Sequence, residues 1–345
     1  MKRFEQPILV TRPYLPDLGE FKAGIDEIWQ KQWLTNNGPM LQWFHSELAK
    51  YLKVPETNMA LFNNGTLALE MGFKAMGLEG AEVITTSFTF VATSHALKRI
   101  GAKPVFADID PETMCLSPAA AEKLITPRTK AIVPVHVYGN VCDIAGFERL
   151  REKYGVKIIY DAAHAFGVTV GAAVPSGPQS RANANSLVGD CGATGGRALP
   201  TIATCGDMSM FSFHPTKLFH SCEGGLLVFK DPALQQKLFD LRNFAIHSET
   251  ECVDVGTNAK MNELQALMGL CCLKKIADLL SYRQSIYVAY SEVFNNPLYN
   301  YNSCRIRLTR PTSLFSSRTS RRVRRSTRNL RRSVMSSRGG ISIRS

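Results

Sequence analysis

Short apolar, strand-like runs alternate with helical patterns between about residues 17 and 280 of this 345-residue chain. Helical patterns fill most of the intervals between the runs, notably 66–76, 91–100 and 145–153. Parallel strands need long crossover connections, so this alternation predicts an α/β fold with a mostly parallel central sheet flanked by helices on both faces. The clearest predicted strands are 82–85, 104–107, 131–137, 157–160, 208–213 and 225–229.

Two segments depart from this alternation. The stretch 171–196 is rich in Gly, Ala, Asn and Ser with little apolar periodicity, which predicts a flexible insertion. The stretch 295–345 is rich in Arg and Ser, and its few apolar residues show no sustained period, which predicts a tail that buries no core. We therefore expect a large domain over 1–294, with the atypical insertion, followed by a disordered or out-of-frame tail over 295–345.

A formal net charge of +12 is typical of proteins with a polyanionic partner, but the excess positive charge is confined to one end of the chain. Thirteen of the 41 Lys and Arg residues lie in 301–345, which holds no acidic residue, so 28 basic residues face 29 acidic ones in 1–300. The predicted domain is close to neutral and gives no sign of a nucleic-acid surface. The tail is either translation out of frame or a polyanion-binding extension.

Nine cysteines form no C-x-x-C pair, and the adjacent Cys271 and Cys272 fall in an apolar helical pattern. These features favour buried free thiols in a reducing compartment. The N-terminal apolar run is broken at Thr11 and Pro13, too early for a signal-peptide core, and no apolar stretch approaches about 18 residues. We expect a cytoplasmic protein without a membrane span.

Lys217 stands in a turn between two apolar strand runs, and Asp161 follows the run 157–160. Partial burial would lower the pKa of the lysine, so that its neutral amine can form an imine with a carbonyl compound. A carboxylate at a strand end can keep a pyridinium nitrogen protonated, as pyridoxal phosphate requires. Gly65-Thr66 opens a helix whose N–H groups and hydroxyl suit a phosphate. Each residue alone has an ordinary structural explanation, but together they favour pyridoxal 5'-phosphate as cofactor.

The motifs of other common chemistries are missing from the sequence, which has no Walker A, dinucleotide-binding, G-x-S-x-G or H-E-x-x-H pattern. Asp161, His164, His214 and His220 offer metal-binding side chains, but their spacing fits no compact ligand motif, so we predict no metal site.

The ordered motifs resemble the DegT/DnrJ/EryC1/StrS family of sugar aminotransferases, which are fold-type I pyridoxal phosphate enzymes. The resemblance covers about residues 11–170 and 201–281, and its motifs are numerous and in order. It is carried by WLTNNG (33–38), NGT (64–66), TTSFTF (85–90), PVHVYG (134–139), YDAAH (160–164), FSFHPTK (211–217) and EGG (223–225).

The resemblance implies a role for each matching residue. Lys217 would bond to the cofactor covalently and move the proton, and Asp161 would pair with the pyridine nitrogen. Phe90 would stack on the ring, and His164 would contact the ring or its 3-hydroxyl. Gly65, Thr66 and Ser212 would bind the phosphate of their own chain's cofactor. Asn243 would reach the phosphate in the neighbouring subunit of a homodimer.

The family's reaction moves an amino group from an amino acid, expected to be glutamate, to the keto group of a nucleotide-linked sugar. The resemblance is greatest to members that form dTDP-4-amino-4,6-dideoxyglucose, which implies dTDP-4-keto-6-deoxyglucose as substrate. Two departures leave a catalytically defective scaffold as the alternative. The interval between Asp161 and Lys217 is about twice the family's, and the pattern of the small C-terminal domain is incomplete.

Overall fold

The computed structural model describes residue 9, residues 11–169 and residues 201–294, with side chains through residue 290. The predicted insertion at 171–196 and tail at 295–345 lie outside the described residues. The described helices are α1 Leu18–Lys31, α2 Pro39–Leu52, α3 Gly65–Ala75, α4 Ala92–Arg99, α5 Pro118–Glu122, α6 Ile144–Tyr154, α7 Leu234–Leu241, α8 Glu263–Leu273 and α9 Ile276–Phe294. The described strands are β1 Met59–Phe62, β2 Glu82–Thr86, β3 Lys103–Ala107, β4 Thr129–Ile132, β5 Lys157–Asp161, β6 Met208–Ser212, β7 Gly225–Phe229, β8 Ile246–Ser248 and β9 Glu251–Cys252.

Seven strands form one sheet in the order β1-β7-β6-β5-β4-β2-β3. The pairs β2–β3, β2–β4, β4–β5 and β5–β6 are parallel, whereas β7 runs antiparallel to both β1 and β6. β8 and β9 form a separate two-stranded hairpin. The prediction of an α/β fold with a mostly parallel sheet is confirmed. The carboxyl ends of β5 and β6 lie side by side, which brings the residues that follow them together.

Helices cover both faces of this sheet, and alternate strand residues divide between two apolar layers. On β7, Leu226 and Val228 pack with α2 and α8, whereas Leu227 and Phe229 pack with α3 and α7. A third cluster lies around β5, α5 and α6, where Tyr160 is fully buried. Because the central strands are buried on both faces, they read in the sequence as continuous apolar runs.

Two strand predictions need correction. Of the predicted strand 131–137, only the first two residues belong to a strand, β4, which ends at Ile132. The strand does not continue because Pro134 has no N–H to donate to a ladder and Tyr138 adopts a positive φ of 56°. Beyond β4, Val135 makes only an isolated bridge to Asp161. The prediction also missed β1, whose four apolar residues directly precede a helix and show no period of their own.

All seven described cysteines are free thiols, of which four are buried, whereas Cys222 and Cys252 are exposed. In the described ranges, no helix combines the length and apolarity that a membrane crossing requires.

Candidate active site

Asp161 is the last residue of β5, and only 4% of its surface is exposed. Thr93 on α4 donates its hydroxyl to Asp161 Oδ2 at 2.7 Å, and the Ala163 N–H donates to Oδ1 at 3.1 Å. Burial raises the pKa of the Asp161 carboxyl, while these two hydrogen bonds and the Lys217 charge act in the opposite direction. The side chain is therefore a buried carboxylate held in one orientation.

Lys217 lies in the loop that joins β6 to β7, two antiparallel neighbours in the sheet. Its backbone N–H donates to the His214 carbonyl at 2.9 Å, which closes a turn. The side chain is half-buried, and burial lowers the pKa of its ammonium while the Asp161 charge partly offsets this effect. The amine is thus partly desolvated and close enough to Asp161 for that charge to act on its pKa, as the imine hypothesis requires.

His164 lies in the turn that follows Asp161, and its ring is stacked 6.2 Å from that of Tyr138 at an angle of 10°. Burial, reinforced by the Lys217 charge, lowers the pKa of His164 to about 4. The imidazole is therefore neutral at physiological pH. Lys217, Asp161 and His164 form one electrostatically connected group, as the strand-end argument predicts.

Gly65 and Thr66 are the first two residues of α3, behind the N-cap Asn64, whose side chain accepts from the Leu67 N–H at 2.9 Å. A Cβ on Gly65 would lie 3.0 Å from the Cβ of Ser212 and 3.2 Å from its Oγ. The absence of a side chain at Gly65 therefore lets the end of β6 approach the helix N-terminus. This junction brings Gly65 and Thr66, the first residues of α3, next to Ser212 at the end of β6.

Phe90 precedes α4, and its carbonyl is the acceptor for the Thr93 N–H at 3.3 Å. The ring is 73% exposed, so the alternative that Phe90 belongs to the core is wrong. The exposed ring thus belongs to the residue three positions before Thr93, which binds Asp161.

Asn243 lies just after α7. Its side-chain oxygen accepts from Lys260 Nζ at 2.6 Å, and its backbone bridges to Asn258. Lys260 and Asn258 line an open cavity of about 600 Å³ together with Asn64 and Glu223. Within the described residues no hydrogen bond links Asn243 to Gly65, Thr66 or Ser212, although its partner Lys260 shares this cavity with Asn64, the N-cap of α3.

Sequence reasoning missed Thr93 and Tyr138, which hold Asp161 and stack on His164. Thr93 follows the TTSFTF motif by three residues, but a threonine in a helix carries no signal that distinguishes it from a surface residue. Tyr138 did carry a sequence signal, because a bulky residue next to glycine in PVHVYG is typical of a turn with an unusual backbone.

The metal alternative finds no support in the described ranges, where no three His, Cys, Asp or Glu side chains are grouped closely enough to hold an ion. His220 Nε2 instead lies 2.6 Å from the Tyr14 carbonyl, and His214 Nδ1 lies 2.8 Å from the Thr216 hydroxyl.

The donor set fits pyridoxal phosphate. A partly desolvated amine lies within electrostatic reach of a buried carboxyl group, and the N-terminus of α3 lies against the Ser212 hydroxyl, which together offer N–H and O–H donors to a phosphate. The seven-stranded sheet with a single antiparallel strand next to one edge carries these groups at its strand ends. This fold is that of the pyridoxal phosphate-dependent aminotransferases, as the structural relatives below show.

The chain belongs to the DegT/DnrJ/EryC1/StrS aminotransferase family, which matches residues 17–318. It is 41% identical over 288 residues to dTDP-4-amino-4,6-dideoxy-D-glucose transaminase of Shigella dysenteriae, which covers 84% of this chain and 70% of the relative.

Two solved structures extend the comparison. DesI, determined in the presence of its TDP-sugar product, is 33% identical with a TM-score of 0.72, over 85% of this chain and 67% of that one. NtdA of Bacillus subtilis, with bound cofactor PMP, is 26% identical with a TM-score of 0.65, and the match covers 85% of this chain and 64% of NtdA. Pyridoxal phosphate dependence is therefore a property of the family to which the chain belongs.

Proposed function

We propose that this protein transfers an amino group from glutamate to the keto group of a nucleotide-linked sugar, with dTDP-4-keto-6-deoxyglucose as the acceptor. The observation that carries the proposal is the pairing of half-buried Lys217 with buried Asp161 at adjacent strand ends. The chain's 41% identity to dTDP-4-amino-4,6-dideoxy-D-glucose transaminase of Shigella dysenteriae supports this class of sugar substrate.

When bound, pyridoxal phosphate supplies an electron sink for bond breaking at the carbon that carries the amine. Lys217 would hold the cofactor through its Nζ, and its free amine would move a proton as general base and acid. Its lowered pKa keeps a larger share of the amine neutral near pH 7. Asp161 holds the pyridine nitrogen protonated, and Thr93 fixes the direction of that carboxylate.

The remaining predicted residues bind and orient. Exposed Phe90 would cover one face of the ring, and neutral His164 would contact the ring or its 3-hydroxyl. The phosphate is held at the junction of α3 and β6 by Gly65, Thr66 and Ser212.

Asn243 lies outside its own chain's phosphate junction, which supports the proposal that it reaches the phosphate of a neighbouring subunit. The working protein is then a homodimer with shared sites, located in the cytoplasm. Residues 1–294 form its cofactor-binding large domain, and the three apolar clusters of the described part support that division.

The cofactor proposal is tested by purifying the protein with pyridoxal phosphate and recording its visible absorbance. We expect a visible band that Lys217→Ala abolishes, and that borohydride bleaches while it fixes the cofactor covalently to the protein. Lys153→Ala, which removes an exposed lysine paired with Glu122, is the matched control and should keep the band. A Lys217→Ala protein with an unchanged band would remove Lys217 from its role.

Transfer is tested separately from binding. Glutamate should bleach the band, and dTDP-4-keto-6-deoxyglucose should restore it with formation of an amino sugar detected by mass spectrometry. Restoration by a GDP-linked keto sugar but not by the dTDP sugar would contradict the proposed acceptor. A band that glutamate leaves unchanged would favour the defective scaffold.

A further inference from the structure

A second cavity, of about 400 Å³, lies beside α2 and α7 and contains none of the residues assigned to the cofactor. Its volume lies within the range of small-molecule sites. Most of its lining side chains are polar, which distinguishes the cavity from a packing gap in an apolar core. The polar residues that bear on its chemistry are Gln42, His45, Glu56, Thr57, Gln235 and Arg242.

Arg242 is the buried cation of this cavity, with 6% of its surface exposed. One guanidinium nitrogen donates to the Leu61 carbonyl at 2.6 Å, and the group stacks 3.7 Å from the Phe239 ring centre. Burial lowers the pKa of Arg242 to about 10, and no described carboxylate lies within ion-pair distance of it. The remaining guanidinium N–H groups therefore have no protein acceptor in the described part.

A buried charge without a counter-ion is costly, and such groups are normally paired with an anion. The guanidinium is a planar fork that matches the two oxygens of a carboxylate. Stacking on Phe239 and the bond to Leu61 already hold the fork in place, so a ligand pays little ordering entropy.

The opposite charge lies at the rim of the same cavity. Glu56 is the one carboxylate among its lining residues, and its side chain is 55% exposed. His45 Nδ1 lies 3.6 Å from Glu56 Oε2, and burial lowers the pKa of His45, so this imidazole is neutral at physiological pH. With His45 neutral, the lining carries one cation at the buried side and one anion at the exposed side.

We propose that this cavity binds a small α-amino acid, with its carboxylate on Arg242 and its ammonium towards Glu56. A zwitterion satisfies both charges, whereas a dianion such as phosphate would satisfy Arg242 and be repelled by Glu56. This site is separate from the proposed transfer reaction and does not depend on it.

The test is isothermal titration of the cofactor-loaded protein with N,N-dimethylglycine, whose tertiary amine cannot condense with the cofactor. We expect saturable binding that Arg242→Lys weakens about tenfold or more, because an ammonium cannot form the two-point contact. Acetate, which lacks the ammonium, should bind more weakly than N,N-dimethylglycine.

Two further variants locate the binding. Thr57→Trp fills the cavity from its exposed rim without removing a buried charge and should abolish binding, which keeps the test valid if Arg242→Lys fails to fold. Leu264→Gln alters the other cavity at an exposed, uncharged position and should leave binding unchanged. Binding that survives Thr57→Trp, is lost in Leu264→Gln, or is tighter for inorganic phosphate than for N,N-dimethylglycine would overturn the proposal.

Discussion

At the scale of single residues, the site depends on a balance of opposed effects on the pKa of Asp161. Burial favours the neutral acid, while the Thr93 hydroxyl, the Ala163 N–H and the Lys217 charge favour the carboxylate. An Asp at a strand end could be identified from the sequence. The hydroxyl that stabilises its carboxylate form lies 68 residues away on α4, and only folding brings it close.

Thr93→Val removes this hydroxyl without changing the side-chain volume greatly. We expect the pKa of Asp161 to rise, so that the acid limb of the pH profile of kcat/KM moves to higher pH. The free energy of unfolding should fall by about 1 kcal/mol. Thr93→Ser keeps the hydroxyl and should restore the wild-type profile, while Ser94→Ala on the exposed side of α4 is the control. An acid limb that does not move in Thr93→Val would exclude this positioning role.

His136 is fully buried beneath the site, with its ring stacked 4.8 Å from that of Tyr160, and burial lowers its pKa to about 4. A folded pKa below the unfolded value of 6.5 means that this contribution is complete above pH 6.5 and is lost as the pH falls towards 4. Lowering the pH through that window should reduce the free energy of unfolding by up to about 3 kcal/mol.

Urea unfolding between pH 4 and 7 measures this effect, and His136→Gln should make the pH dependence shallower. His247→Gln is the control with the opposite sign, because Asp240 raises the pKa of the exposed His247. An equally steep dependence in wild type and His136→Gln would show that other groups cause it.

At the scale of elements, local patterns predicted a strand correctly where the flanking residues mark both of its ends. β7 was predicted with its observed bounds because Gly224-Gly225 begins it and a polar turn ends it. β4 was predicted too long, since apolar residues continue through Val133–Val137 after the ladder has ended. The length of a strand is set by the strand beside it, which the local sequence does not contain.

A buried carboxylate joins two helices that are far apart in sequence. Glu263 at the start of α8 is 1% exposed and accepts from the N–H groups of Met40 and Leu41, at 2.8 and 3.1 Å, in the first turn of α2. α2 has no side-chain cap of its own, so Glu263 satisfies N–H groups that would otherwise be unpaired.

Glu263→Ala should therefore lower the free energy of unfolding by about 3 kcal/mol, since it leaves two buried donors unsatisfied. Glu47→Ala removes an exposed glutamate that pairs with Lys50 and should cost less than about 1 kcal/mol. Denaturant unfolding of both variants checks the prediction, which equal losses would contradict.

At the scale of the whole molecule, the proposed homodimer makes each site depend on two chains. Asn243 lies outside its own chain's phosphate junction, whereas Lys217 lies close to that chain's Asp161. The two substitutions Lys217→Ala and Asn243→Ala would therefore damage different chains' contributions to a shared site.

Mixing the two inactive variants after reversible dissociation should then restore activity. Random pairing gives hybrid dimers in which one site contains both substitutions and the other contains neither, so about a quarter of wild-type activity is expected. Mixing two samples of Lys217→Ala is the control and should restore none. If the Asn243→Ala variant is active alone, or the mixture stays inactive, Asn243 does not act across the interface.

The sequence by itself determined the fold class and the cofactor chemistry, and it supplied most of the residues proposed to bind that cofactor, because these follow from local periodicity and from motifs that are contiguous in the chain. It also showed that the positive charge belongs to the last 45 residues and not to the domain. Only the tertiary structure decided which groups support the site. Thr93 against Asp161, Ser212 against Gly65 and the uncompensated charge of Arg242 result from contacts between distant segments, and burial then sets the electrostatics of each.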